Sequence, residues 1–94
     1  MNADERLREV IHGGPGDRRL WTIMVILAAR ADDKGIVDIP ELDEIAEWIE
    51  RSENWAGWCV AELKRQGWLR TFDAVKWDIG RNLRQGLPER RTSY

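Results

Sequence analysis

The sequence predicts a small α+β domain, mainly helical with one β-hairpin, and three observations lead there. Apolar residues recur at helical spacing in four segments, near residues 2–12, 17–32, 38–51 and 52–66. Two short runs near the C-terminal end, Leu69-Arg70-Thr71-Phe72 and Val75-Lys76-Trp77-Asp78-Ile79, instead alternate in polarity, as strands do. The chain has 94 residues, 43% of them hydrophobic, which suits one core and leaves no room for two.

Each element has local reasons. Leu7, Val10 and Ile11 give the first helix its apolar positions, and His12-Gly13-Gly14-Pro15-Gly16 ends it. Asp17 is placed to cap the second helix, expected to run to about Asp32. Residues 20–29 of that helix are apolar nearly all the way round, so it must be covered on more than one side, and a homodimer is expected to supply the cover. Asp33-Lys34-Gly35 is a turn, and Ile36-Val37-Asp38-Ile39 a short β-branched strand. Asp38 is expected to cap the third helix, with Glu41 completing a capping box and Pro40 in the first turn. Leu42, Ile45, Ala46 and Ile49 form its inward stripe, ending near Arg51. Ser52 caps the fourth helix, Ala56, Cys59, Val60 and Leu63 share its buried face, and Gly67 stops it. The hairpin follows, with Asp73 and Ala74 at its turn. The chain therefore divides into an N-terminal helix and Gly-rich linker (1–16), a body (17–80) and a basic tail (81–94).

The formal net charge is only -2, which does not by itself point to nucleic acid. Its distribution is uneven: residues 1–63 carry seven Lys/Arg against fourteen Asp/Glu, and residues 64–94 carry eight against three. A basic third on an acidic body is a candidate anion-contacting surface. The single cysteine, Cys59, allows no internal disulfide, the N-terminus shows no signal-peptide pattern, and the longest apolar run is about half a bilayer span; a cytoplasmic protein without a membrane segment is expected.

The stretch Ile45-Ala46-Glu47-Trp48-Ile49, then Ser52 as a helix cap, then Leu63-Lys64-Arg65-Gln66-Gly67-Trp68-Leu69, resembles the winged helix-turn-helix superfamily of prokaryotic and phage DNA-binding regulators. With the flanking elements the resemblance covers about residues 17–80. It implies that the helix over about 53–66 enters the major groove of double-stranded DNA, with the hairpin over about 69–80 as a wing on adjacent phosphates. By position, the base-facing residues would be Ser52, Glu53, Asn54, Trp55, Gly57, Trp58, Ala61 and Glu62. Arg51, Lys64 and Arg65, with Arg70, Lys76 and Arg81 on the wing and tail, would grip the backbone. The implied function is transcriptional regulation by a homodimer.

Two features of that surface differ from a usual recognition helix. Between Ser52 and Leu63 there is no Lys or Arg, and Glu53 and Glu62 lie on the exposed side. Trp55 and Trp58, three apart, sit side by side. They favour a second function class, a protein-interaction module of the phage or plasmid accessory type, using the two Trp and the acidic third helix (Asp38, Glu41, Asp43, Glu44, Glu47, Glu50) against a protein partner. The alternative is that the hairpin, the first helix or a second subunit covers them, and that the acidic run is a solvated face. Gly57 is read as a site of close helix packing, the alternative being close approach of another backbone or of DNA; Trp48 is read as an extension of the Trp pair, and Cys59 as a small core residue. One His and one Cys make no zinc site, and no phosphate loop, triad order or carboxylate dyad is present, so neither an enzyme, a metal nor a cofactor is expected.

Overall fold

A computed structural model describes residues 3–80; Arg81 and the basic tail lie outside the described residues. Their order is α1 (Ala3–Gly13), α2 (Arg18–Arg30), β1 (Ile36–Asp38), α3 (Leu42–Ile49), α4 (Glu53–Gln66), β2 (Arg70–Asp73) and β3 (Lys76–Asp78). The strands form an antiparallel sheet in the order β1-β3-β2. Four helices and a three-stranded sheet thus make one small α+β domain.

The helix ends follow from local chemistry. Asp17 caps α2, its carboxylate accepting from the amides of Arg19 (2.8 Å) and Leu20 (3.2 Å). Ser52 caps α4 by accepting from Trp55 N at 3.4 Å. Gly67 closes α4 at φ 85, a left-handed conformation that glycine adopts without a Cβ penalty. The start of α3 corrects the sequence reading. Its N-cap is Glu41, whose amide donates to Glu44 Oε1 at 3.4 Å. Asp38 cannot cap because it belongs to β1, opposite Lys76, and its carboxylate accepts from Lys76 Nζ. Pro40 keeps Ile39 extended, so the helix begins only after it. At the other end Glu50 turns left-handed (φ 55), and α3 stops at Ile49 rather than near Arg51.

Central α2 explains its own apolarity. Leu20, Ile23, Met24, Leu27 and Ala28 are buried, with α1 packed on one side of the helix and α3, α4 and β1 on others. Much of the cover that its apolar positions require comes from within the chain, while Trp21, Val25 and Ile26 are only half-buried. Helix α2 stops at Arg30, two residues short of Asp32, because Asp32 is used in the next turn. Its carboxylate accepts from Lys34 N (2.8 Å) and Ile36 N (3.0 Å), and the Ile36 amide in particular holds its pKa below the usual carboxylate range. Helix α1 fastens to that same turn. Arg6 is buried, and its guanidinium donates to the carbonyls of Asp32 (2.7 Å) and Asp33 (2.8 Å). Gly35 (φ 86) sits where any Cβ would come within 2.4 Å of the Gly80 Cα, so the turn and the end of β3 need glycine to meet.

Ile45, Ala46 and Ile49 line the core from α3, and Ala56, Cys59 and Leu63 from α4, with Trp68, Leu69, Trp77 and Ile79 from the sheet region. Leu42, expected on the inward stripe, is exposed, because the first turn of α3 projects beyond the core. Val60 is half-buried at its edge. Burial pushes the Cys59 thiol above its ordinary pKa, consistent with a packing residue. The hairpin turn is Ala74-Val75, one residue later than expected: Asp73 pairs with Lys76, and its side chain accepts from Val75 N at 2.8 Å. The register shifts between Thr71 and Asp73, and both Phe72 and Val75 are left exposed.

Candidate nucleic-acid interface

The N-terminal half of α4 is the most distinctive surface of the domain. Ser52, Glu53, Asn54, Trp55 and Trp58 are all exposed, Trp55 to 42% and Trp58 to 50%. Neither the hairpin nor α1 covers the two indoles. They meet edge to face, with ring centroids 5.8 Å apart and planes at 77°. Gly57 between them is not a packing site, as a Cβ there would meet nothing within 4 Å. The face therefore stays open along the helix.

Two arginines lie over the ring of Trp55. The guanidinium of Arg19, from the first turn of α2, lies 5.0 Å from the Trp55 centroid, and that of Arg51, from the loop before α4, lies at 5.8 Å. Arg18, Arg19 and Arg51 also line a cleft of about 670 Å³ between the start of α2 and the end of α3. The same cleft is lined by Trp48, Ile49 and Glu50. Trp48 makes no ring contact with the Trp55/Trp58 pair: it is half-buried, with the Arg30 guanidinium 4.9 Å over its ring. Among the described residues, no carboxylate lies within 4.0 Å of the guanidinium of Arg18, Arg19 or Arg51.

The other expected cations are differently placed. Lys64, Arg65 and Arg70 are exposed. The Arg65 guanidinium is tied to the Glu62 carboxylate, which also accepts from Gln66 Nε2 at 2.8 Å. The Arg65 hydrogen bond chiefly, and that of Gln66, hold the Glu62 carboxyl at about 2. Glu62 is thus not a free charge on the outer face; it is neutralised by the next turn of its own helix. Lys76 is likewise tied to Asp38 across the sheet, and Lys64 lies 5.8 Å from the ring of Trp77. The structure brings Arg51, Ser52, Asn54, Trp55 and Trp58 together at one end of α4. It places Lys64, Arg65, Arg70 and Lys76 toward its other end and the sheet. Arg81 lies outside the described residues.

The sequence reading missed Arg18, Arg19 and the cleft. The Arg18-Arg19 doublet directly after a helix cap was the available signal, but its meaning depends on α2 starting beside the end of α3. Among the described residues, no three His, Cys, Asp or Glu side chains converge as metal ligands, and no helix is long and apolar enough to cross a membrane. Comparison with protein-family models, curated proteins and solved structures finds no match for this chain.

Proposed function

We propose that this domain is a DNA-binding module of winged-helix type, with α4 as recognition helix and the β2–β3 hairpin as wing, acting in transcriptional regulation of the prokaryotic or phage kind. The arrangement of three helices, α2 to α4, over a three-stranded antiparallel sheet is compatible with that architecture. The observation that carries the reading is that Arg19 and Arg51, unpaired by carboxylates, lie against exposed Trp55 at the N-terminal end of α4 and share a cleft with Arg18. Phosphate neutralisation by such cations supplies sequence-independent affinity for DNA. Asn54, exposed beside them, has the donor–acceptor pair that reads adenine, and Ser52 can contact a base or a phosphate. Cations absent from the helix itself are thus supplied by its neighbours.

A protein partner is the second reading, favoured by the exposed Trp pair and by the apolar hairpin tip at Phe72 and Val75. Salt dependence separates the two. Binding of fluorescent duplex fragments is measured by anisotropy across a chloride series, with wild type and Trp55→Ala/Trp58→Ala. The DNA reading expects the logarithm of affinity to fall with the logarithm of salt with a slope of at least about 2 to 3, from three phosphate contacts. It expects the double variant to bind at least about 10-fold more weakly, with its helical circular dichroism retained. Absence of binding to any duplex, even at low salt, would sink it.

A further inference from the structure

We propose that the cleft between the first turn of α2 and the last turn of α3 is a binding site for a phosphoryl anion, held by Arg18, Arg19 and Arg51. Where the anion is a phosphodiester of a nucleic-acid backbone, the site rests on the DNA reading above. Where it is a free phosphate monoester, the site stands without it.

Charge in the cleft is the first argument. Three guanidinium groups line it, none with a carboxylate within 4.0 Å among the described residues. Two acidic side chains, Asp17 and Glu50, line the same cleft, leaving it one positive charge in excess. Asp17 is already engaged, capping α2 through the amides of Arg19 and Leu20. The remaining positive charge suits an anion. Elsewhere in the domain Arg30, Arg65 and Lys76 each have a carboxylate partner, whereas at this cleft three guanidinium groups without one line a single concavity.

The second argument is preorganisation. Arg19 and Arg51 lie against Trp55 at 5.0 and 5.8 Å from its centroid. A guanidinium held over an indole ring is restrained in position while its N–H groups are not spent on a carboxylate. Flexible arginines lose rotamer entropy on binding an anion; two of these three have lost part of it beforehand.

The third argument selects the anion. Each guanidinium presents a donor fork that matches two oxygens. Three forks exceed what one carboxylate with two oxygens accepts. A phosphate monoester offers three terminal oxygens and about -1.5 to -2 charge, so it fits the donor set better than a carboxylate or a chloride. A phosphodiester, with two free oxygens and one charge, is expected to bind more weakly per group.

The test titrates wild type with inorganic phosphate, adenosine monophosphate and blunt DNA duplexes with and without 5′-phosphates, against chloride of equal ionic strength. The readouts are the NMR signals of the arginine Nε–H and tryptophan indole N–H groups. Phosphate and the nucleotide are expected to shift Arg18, Arg19, Arg51 and Trp55, and to leave Arg70 in place. Arg18→Gln and Arg51→Gln, both at exposed positions, should each weaken phosphate binding at least about 10-fold, and Arg51→Lys, which keeps the charge but loses the fork, should recover only part. Circular dichroism verifies that the variants are folded. Equal shifts with chloride, or unchanged affinity in Arg51→Gln, would overturn the proposal. Duplex binding that competes with phosphate identifies the DNA backbone as the source. Phosphate binding at the three arginines without any duplex binding retains the cleft and removes the DNA reading. Duplex binding that survives Arg18→Gln and Arg51→Gln undiminished, with no phosphate shifts, retains the DNA reading and removes the cleft.

Discussion

At its N-terminal end α4 meets Arg19 and Arg51, with Arg18 in the adjoining cleft, none held by a carboxylate among the described residues; at its C-terminal end Arg65 is tied to Glu62, and on the sheet that follows Lys76 is tied to Asp38. By count alone the second region looks the more basic, since residues 64–94 carry the excess of Lys and Arg. By partner it is the reverse, because two of its cations in the described residues are neutralised where they stand. A cation already paired must exchange one carboxylate for one phosphate, and most of the gain is cancelled by the bond given up. A cation stacked on an indole surrenders nothing comparable when an anion arrives. Formal charge along a sequence therefore locates an anion-contacting surface poorly unless the internal pairs are subtracted first.

The most direct way to break this comparison removes two cations from each region. Arg18→Gln/Arg51→Gln and Arg65→Gln/Lys76→Gln change the net charge equally. If the N-terminal end makes the contacts, the first double variant loses about 10- to 100-fold in duplex affinity near 0.1 M salt, and its salt slope falls by nearly 2. The second loses no more than about threefold, which is what a general effect of charge would give. Anisotropy measured on both at several salt concentrations checks this. Equal losses would mean that the surface reads net charge only.

How far these features could be read in the sequence depends on how local they are. Caps Asp17 and Ser52 and the stop at Gly67 were legible because each acts within a few residues of its own helix end. The start of α3 was not. Asp38 and Glu41 both fit a capping pattern, and strand pairing with Lys76, 38 residues away, decides between them. Glu62 looked like an obstacle to DNA because its partner Arg65 was counted as a separate cation, although the spacing of three on a helix is a readable pairing signal. Arg18 and Arg19 went unrecognised because their use depends on residues 30 or more positions later. The all-round apolarity of α2 was legible, but its cover by α1 was not, since a buried arginine that grips backbone carbonyls leaves no apolar trace in the sequence.

Glu62→Gln sharpens the comparison from the other side. It removes the carboxylate that restrains Arg65 and should add a second free cation beside Lys64 at the C-terminal end of α4. Duplex affinity is expected to rise about two- to fourfold, with the salt slope increasing by up to about 0.9 for the one added contact. The pair also has a pH signature. With the folded-state pKa depressed to about 2 from an ordinary 4.5, its contribution to stability is complete above about 4.5 and is lost as pH falls toward 2. An NMR titration of the Glu62 carboxyl carbon should therefore find its midpoint near 2, and a midpoint in the ordinary range would show Arg65 free in wild type.

Gly57→Ala gives the smallest effect and separates stability from recognition at the open end of α4. A Cβ at this position meets nothing within 4 Å, so the substitution introduces no clash in the free domain. Mid-helix glycine is about 1 kcal/mol less favourable than alanine. Gly57→Ala should then raise the thermal midpoint by about 4–8 °C for a domain of this size. On binding the sign is opposite. If DNA comes close to the helix between Trp55 and Trp58, the added methyl stands in its way, and affinity falls a few-fold although the domain is more stable. A midpoint that rises while binding stays unchanged would place the ligand on the indoles and arginines alone, away from the backbone of α4. A midpoint that falls would mean that the face is covered in the folded protein, and the contrast between the two ends of α4 would have to be drawn again.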